Sequence, residues 1–512
     1  MDIKTFETSH ETIQNTFFEL KTNFRSNETR SIAYRKVVLQ NLRRVIKESE
    51  KDIADALKKD LGLHSHISYI TSVSTLIGEI DHVLKNLDSW SQPQNKETPM
   101  LLFPSTTFVL SEPLGTVLII GAWNYPFPTT MIPLISAIAA GNCVIIKPSE
   151  HARESSKVMA KIVSQLDQRY YRCIEGGIET GKYLNKLKFD LIVFTGGTNI
   201  GKFVLKDAAE NLVPVVLELG GKNPTIIDVT ANIDLAVKRI ASFKFMNSGQ
   251  TCTNADFIYV HSALKDNFIA SLIAKMKEYY GTDAKTSRDY SRIVNEFHTK
   301  RILKYLESQQ KKIIYQAGTP EPESCFVPPT LLLNPSMDSP VMKDEIFGPI
   351  LPIIEFNDFK EVMDYVQGEE KPLCIFYFGD LKSANYNLIK NTTSSGGLMT
   401  NDIGINYMSF TTGFGGVGSS GIGRIRGFEG FKCCSNQKAV VERSRSGFMD
   451  IPVRYPPSTP ASIRQFKFLL DNIGGRTFEE MIRTLRNYVL LPIFALATYV
   501  LFARGIIVLN LK

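Results

Sequence analysis

The chain is poor in the features that mark several common classes of protein. Its 512 residues hold seven cysteines at irregular spacing, which is no disulfide framework in so long a chain. No Cys-x-x-Cys pair occurs and His64-Ser65-His66 stands isolated, so a structural zinc site is not expected. Lys and Arg outnumber Asp and Glu by 59 to 52, a net charge of +7 scattered along the chain. That excludes the basic, aromatic-interleaved stripe of a nucleic-acid binder. The N-terminus carries Asp2, Glu7 and Glu11, without the apolar core of a signal peptide or the acid-poor character of a transit peptide. Reduced thiols and a cytosol-facing body are the expectation.

What is present is an ordinary globular composition, 43% hydrophobic and 22% charged, over a length that suits two sizeable domains. Apolar positions at three-to-four spacing over 13–61 and 70–87 predict amphipathic helices, and the proline-bearing 91–104 reads as a connector. Short apolar runs then alternate with helical stretches. Strands are expected at 116–120, 143–146, 191–194, 215–217, 224–227, 257–260 and 351–355, with helices at 131–140, 155–165, 235–246, 264–280 and 462–470. That alternation implies an α/β fold with parallel sheets covered on both faces.

Cys252, in Asn247-Ser248-Gly249-Gln250-Thr251-Cys252, is the most informative residue. Upstream lies Glu218, in Leu217-Glu218-Leu219-Gly220-Gly221-Lys222. A lone cysteine is usually a small buried hydrophobe, and a lone glutamate a solvated charge. Together, a thiol among small polar residues and a carboxyl before a Gly-Gly turn suggest a nucleophile and a base. They stand in an ordered series: Gly121-Ala122-Trp123-Asn124-Tyr125-Pro126, Lys147-Pro148-Ser149-Glu150, Phe194-Thr195-Gly196-Gly197-Thr198-Asn199-Ile200-Gly201, then the Glu218 and Cys252 segments, Glu345-Ile346-Phe347-Gly348-Pro349, and Phe414-Gly415-Gly416-Val417-Gly418-Ser419-Ser420-Gly421.

This series resembles the aldehyde dehydrogenase superfamily, and most nearly its membrane-anchored fatty aldehyde dehydrogenase branch, from about residue 10 to about 460. The resemblance implies two Rossmann-like open parallel-sheet domains with a small β element that bridges two subunits of a homodimer. The NAD-binding domain would run over 1–215, with the N-terminal helices and a bridging hairpin near 105–115. A catalytic domain over 216–427, a bridging strand over 428–447 and a helical segment over 448–487 would follow. NAD, with NADP as the alternative, is the implied cofactor and a medium- or long-chain aliphatic aldehyde the implied substrate. Cys252 would attack the carbonyl, with the Asn124 amide and the Cys252 N–H as oxyanion donors. Glu218 would activate water against the acyl-thioester, and Glu345 would hold the nicotinamide ribose; an exchange of roles between these two acids stays open. Lys147 and Glu150 would grip the adenosine ribose, the acid favouring NAD. The turn Gly196, Gly197, Thr198, Asn199, Ile200 and Gly201 would seat the pyrophosphate at a helix N-terminus. Phe347 would pack by the nicotinamide ribose; Phe414 and Gly415 would either line the catalytic tunnel or form a flexible loop. The chain departs from the pattern at Thr253–Asp256, at Arg426, where relatives often carry His, and in a short stretch around 165–171.

The last segment differs in kind. Residues 488–503 are uncharged, Arg504 interrupts, and an apolar run resumes to Leu509. A transmembrane helix over 488–511 is the expectation, with a buried C-terminal helix or an in-plane interfacial helix as alternatives. Arg476, Arg483 and Arg486 precede it and favour a cytosolic catalytic body; which membrane receives it is not written in these residues. A small aromatic aldehyde as substrate, transfer of the thioester to coenzyme A, and a non-catalytic membrane scaffold are the competing readings.

Overall fold

Short Val- and Ile-rich runs become the strands of two open sheets, and a computed structural model describes residues 7–447 and 450–503. The chain divides into two compact units, Met1–Ser91 with Glu112–Asn436, and Gln92–Ser111 with Gln437–Lys512. The first unit holds both large sheets. One has six strands in the order Gly421–Ile422, Val215–Glu218, Leu191–Thr195, Thr116–Ile120, Cys143–Lys147, Tyr171–Cys173. The other has seven, in the order Ile313–Gln316, Thr330–Leu333, Ile350–Phe356, Phe257–His261, Pro224–Ile227, Cys374–Phe378, Gly397–Thr400.

The expected parallel architecture is present with one amendment. Each sheet carries an antiparallel edge strand, Gly421–Ile422 beside Val215–Glu218 and Ile313–Gln316 beside Thr330–Leu333. Such edges are common on otherwise parallel sheets, whose inner strands are buried on both faces. Here Thr116–Ile119 and Cys143–Lys147 are buried throughout. The helix Pro126–Ala140 lies among them and is apolar nearly all round, as a helix buried on every side must be. Its last carbonyls are met by Arg35, whose Nη1 donates to Ala139 (3.0 Å) while Nε donates to Thr29 (2.9 Å). Burial lowers the Arg35 guanidinium to about 10.

A three-stranded sheet in the order Gln94–Lys96, Thr106–Pro113, Ser435–Glu442 has most of its residues in the second unit. The expected connector over 91–104 thus includes a short strand, Gln94–Lys96, paired antiparallel to Phe108 and its neighbours. Its polar sequence offers no alternation to read. Cys433 and Cys434, read as part of a strand, instead end the helix Gly427–Cys433, with Cys434 fully buried; the strand starts at Ser435. Helices Pro460–Leu469, Phe478–Leu485 and Leu491–Ala503 follow.

The expected spanning helix is not found among the described residues: no helix there is long and apolar enough to cross a membrane. The helix Leu491–Ala503 has 13 residues, about 20 Å of rise against the roughly 30 Å of a hydrocarbon core. Residues 504–511 of the expected span lie outside the described residues. The alternative of a buried terminal helix does not hold either, since Tyr488, Leu490, Leu491, Ile493 and Leu496 are 52–78% exposed within the chain.

Candidate active site

In the six-stranded sheet the chain leaves four of the five parallel strands at their carboxyl ends carrying one of the motifs, Tyr171–Cys173 being the exception. Asn124 follows Thr116–Ile120, Glu150 follows Cys143–Lys147, Gly196–Gly201 follow Leu191–Thr195, and Glu218 ends Val215–Glu218. Ile120 stands opposite Lys147 on one side and Phe194 on the other, so those two are about 10 Å apart across two strand spacings. Ligands of open α/β sheets bind in this position. The chain then enters the second sheet at Pro224, level with Phe257. Cys252 and Glu345 precede strands Phe257–His261 and Ile350–Phe356, which brings them to the same region.

Cys252 stands on a strained, heavily bonded loop. Asn247 and Ser248 take left-handed backbone (φ 50° and 51°), followed by Gly249 at 75°. Left-handed non-glycine residues persist only where their surroundings over-determine them. A Cβ at Gly249 would run into the Gly348 carbonyl, so glycine is required there. The Gln250 side chain donates to the carbonyls of Asn247 (2.9 Å) and Arg292 (3.0 Å) and accepts from the Val294 amide (2.9 Å). Asn223 donates to the Cys252 carbonyl at 2.6 Å and to that of Asn254 at 3.1 Å, while its Oδ1 accepts from the Cys374 amide at 2.9 Å. Tyr125 and Thr251 share a hydroxyl contact of 2.9 Å. Asn124 is buried; its Nδ2 donates to the Gln250 carbonyl (3.0 Å), and its own carbonyl accepts from Asn247 (2.9 Å). A side-chain amide has two N–H donors, so one is left beyond the bond to Gln250.

The thiol and both acids share one buried electrostatic environment. Burial pushes the Cys252 thiol well up, and the charges of Glu345, Cys374 and Glu218 add to that, while the Thr253 amide opposes it. Glu218 is 4% exposed, and neither carboxylate oxygen has a hydrogen-bond partner. Burial holds it well above the ordinary carboxyl range, with Cys433 adding and Arg424 opposing. A carboxyl so placed is neutral until something approaches to stabilise its charge. Glu345 is raised to about 8 by burial and then by Asp256, against the Gly221 amide, Arg301 and Lys222. Its carboxylate lies where a side chain on Gly220 would fall, which explains the glycine there. The segment is bolted in place: the Ile346 amide donates to Asp256 (3.0 Å), and Lys222 donates to the Val341 (2.7 Å) and Asp344 (2.9 Å) carbonyls. Phe347, left-handed at φ 47°, meets Trp123 edge-on at 5.3 Å.

On the cofactor side, helix Thr198–Glu210 begins at Gly197 with no side-chain cap, leaving its first N–H groups open to an anion. Nothing lies within 4 Å of where a Gly197 side chain would project. Asn199 and Ile200 are exposed and Gly201 is buried; Thr198 donates to the Ser419 carbonyl at 3.2 Å. A cavity of about 230 Å³ reaches from Thr198 past Gly221 and Lys222 to Glu345, so the helix N-terminus and the Glu345 segment border one space. Lys147 donates to Glu150 at 2.7 Å. Burial alone would raise Glu150, but Lys147 outweighs it and leaves the carboxyl below its usual range. Uncapped N–H groups, a cradle kept free of side chains and an ion pair of buried Lys147 with half-buried Glu150 fit a dinucleotide's pyrophosphate and ribose.

Three residues of this region were not singled out from sequence. Asn223 lies directly after the Gly220-Gly221-Lys222 turn, the one signal available for it. Lys244 is 1% exposed and burial lowers it to about 8. It continues the buried stripe Ala236, Val237, Ile240, Ala241, and a cation where the period calls for an apolar residue was legible. Tyr407 carries a buried hydroxyl without a partner and meets Phe414 edge-on at 4.9 Å. Phe414 itself is buried and exchanges backbone hydrogen bonds with Ile425, so its loop is ordered.

Comparison with known proteins agrees with this geometry. The model of the aldehyde dehydrogenase family matches residues 4–440. The 4,4'-diaponeurosporen-aldehyde dehydrogenase of Staphylococcus aureus (strain NCTC 8325 / PS 47) is 40% identical over 446 residues, 87% of this chain and 96% of that one. Aldehyde dehydrogenase family 3 member A2 of Pongo abelii is 41% identical over 451 residues, covering 87% and 92%. The dimeric NADP-preferring aldehyde dehydrogenase of Canis lupus familiaris is 40% identical over 439 residues, covering 85% and 95%. The substrate-bound structure of Staphylococcus aureus AldH superposes with a TM-score of 0.86 at 38% identity, over 90% of this chain and 99% of that one. The chain belongs to the aldehyde dehydrogenase family. It is an aldehyde dehydrogenase that works with NAD or NADP.

Proposed function

We propose that the chain oxidises medium- and long-chain aliphatic aldehydes to carboxylic acids, with NAD preferred. The observation that carries this is the meeting of Cys252 with two carboxyls, Glu345 half-buried and bonded in place, Glu218 buried and unpartnered. The thiolate is the reactive form, so Cys252 adds to the carbonyl after its proton has passed to solvent water, and burial keeps it a guarded thiol until substrate arrives. The second N–H of Asn124 and the Cys252 amide hold the oxyanion. The nicotinamide, when bound, supplies the oxidising chemistry by taking up hydride from the substrate carbon. Glu218, once ionised, then takes a proton from water that attacks the acyl-thioester, and the Cys252 thiolate leaves as the carboxylic acid forms; burial makes that carboxylate the more basic. Glu345 positions the nicotinamide ribose, beside Phe347. Lys147 and Glu150 hold the adenosine ribose, and Glu150 disfavours a 2′-phosphate there. Thr198, Asn199, Ile200 and the glycines Gly196, Gly197 and Gly201 form the pyrophosphate seat.

The aromatic pair Tyr407 and Phe414 and the exposed apolar tail support an apolar substrate. In this reading the tail attaches the enzyme to a membrane with the catalytic body cytosolic, and strands Thr106–Pro113 and Ser435–Glu442 pair subunits in a homodimer. The test is NADH formation with hexadecanal, benzaldehyde and hexanal, beside a Cys252→Ala control, with NADP as the competing cofactor. A preference for hexadecanal and NAD is expected. A preference for benzaldehyde overturns the aliphatic reading alone. Co-sedimentation with phospholipid vesicles, lost on truncation before residue 488, tests the tail.

A further inference from the structure

Arg426 is the largest fully buried side chain, at 0% exposure, on left-handed backbone with φ 74°. Its Nε donates to Glu79 at 3.0 Å, and the same carboxylate accepts the Gly427 amide at 2.7 Å. Glu79 is itself 0% exposed, on helix Thr75–Ser91. The guanidinium stacks over two rings, 4.6 Å from the centre of Tyr407 and 4.9 Å from that of Phe410. Neither Nη1 nor Nη2 has a hydrogen-bond partner. A buried ion pair with two orphaned nitrogens is poor value as a source of stability, and its best-attested use is fixing one arrangement over others.

Arg426 is placed to fix one segment. Phe410 stacks on His82 at 5.5 Å and packs against the same helix at Gly78. The Phe414 amide donates to the Ile425 carbonyl (2.8 Å) and the Ile425 amide to that of Phe414 (2.7 Å), immediately before Arg426. The segment 405–414 is therefore held at Tyr407 and Phe410 by the guanidinium and at Phe414 by the neighbouring backbone. Its link to the chemistry runs through Asn406, which donates to the Cys374 sulfur at 3.2 Å, while Asn223 accepts from the Cys374 amide (2.9 Å) and donates to the Cys252 carbonyl (2.6 Å). Burial raises the Tyr407 phenol, Arg426 opposes that, and the charges of Cys252, Glu79 and Glu218 add to the rise.

We propose that Arg426 is a positioning residue that sets aldehyde selectivity: anchored on Glu79, it clasps Tyr407 and Phe410 and so fixes the 405–414 segment as a rigid aromatic wall beside Cys252. A rigid wall discriminates substrates by shape, whereas a loose one accepts both slender and broad aldehydes. The inference rests on the aldehyde dehydrogenase activity and not on which aldehyde is preferred.

The test compares kcat/KM for hexadecanal and for benzaldehyde in the wild type, Arg426→Lys, Arg426→Met and Phe410→Leu. Lysine keeps the charge on Glu79 but cannot stack as a planar fork. The ratio of the two kcat/KM values is expected to move by about tenfold, the scale of a small change in pocket shape. It should move through the KM for aldehyde, with the KM for NAD unchanged, and Arg426→Lys should lie between the wild type and Arg426→Met. If Arg426→Met does not fold, Arg426→Lys and Phe410→Leu carry the comparison. A ratio that stays within about twofold in folded variants, or a loss that strikes both aldehydes and NAD alike, overturns the proposal. The wild type's own preference tests the aliphatic reading separately.

Discussion

Around Cys252 the loop is held by its neighbours: Asn223 bonds its carbonyl, Gln250 ties it to Arg292 and Val294, and two left-handed residues lead into it. At Glu218, one strand end away, neither carboxylate oxygen has a partner. The contrast assigns different freedoms to the two groups. In the proposed mechanism the nucleophile has to meet the carbonyl at one distance and angle, and a preformed loop supplies that without reorganisation. In the same mechanism the base acts only after the thioester exists, and a carboxyl without bonds is free to turn toward the water when it arrives. Glu345 lies between the extremes, half-buried and raised to about 8 but accepting from Gly221 on a bolted segment.

Removing the nucleophile should have the largest effect: Cys252→Ala is expected to lower NADH formation by about 10⁴-fold or more, read by absorbance with NAD and aldehyde in excess. Glu218→Gln should cost about 10²–10⁴-fold in steady state. Because the base works as the carboxylate and burial holds Glu218 protonated, the wild-type rate should climb with rising pH, and that limb should disappear in the glutamine variant. An unchanged pH profile would remove Glu218 from the role. Asn223→Ala attacks the rigid side of the contrast. Misplacing the thiol should lower kcat by up to about 10²-fold, and the buried carbonyl left bare should lower unfolding free energy by about 1–3 kcal/mol, read by denaturant titration. Lys147→Ala lies outside the contrast and should raise the KM for NAD by about tenfold with kcat nearly intact.

The smallest effect concerns stability. The carboxyl of Glu345 is raised from 4.5 to about 8, so its contribution to stability is complete below the unfolded value and fades as pH rises toward 8. Thermal midpoints should therefore fall between pH 5 and 8 in the wild type, and fall less in Glu345→Gln.

Much of this arrangement was legible in the residues. Thr116–Ile120 and Pro224–Ile227 are continuous apolar runs bounded by turn residues, and both form strands with those limits. The motif series singled out Asn124, Glu218, Cys252 and Glu345, while their common surroundings emerge only from the two sheets. Gln94–Lys96 was not legible, because its pairing with Thr107–Val109 comes from backbone bonds that polar side chains do not announce. The end of the helix at Cys433 was hidden by a strand that begins two residues later. The missing partners of Glu218 and the clasp of Arg426 on Glu79 depend on segments far apart in the chain, and no local pattern encodes them. The terminal run reads as a span by composition, while the described helix Leu491–Ala503 is too short for one.

The most direct test is the mass of the Glu218→Gln enzyme after brief mixing with hexadecanal and NAD, followed by peptide mapping. A fixed nucleophile and a separate late-acting base predict an acyl adduct on the Cys252 peptide that persists in the variant and is absent from the wild type. A folded variant that turns over no aldehyde and carries no adduct would contradict the account, because Glu218 would then be needed before the thioester forms.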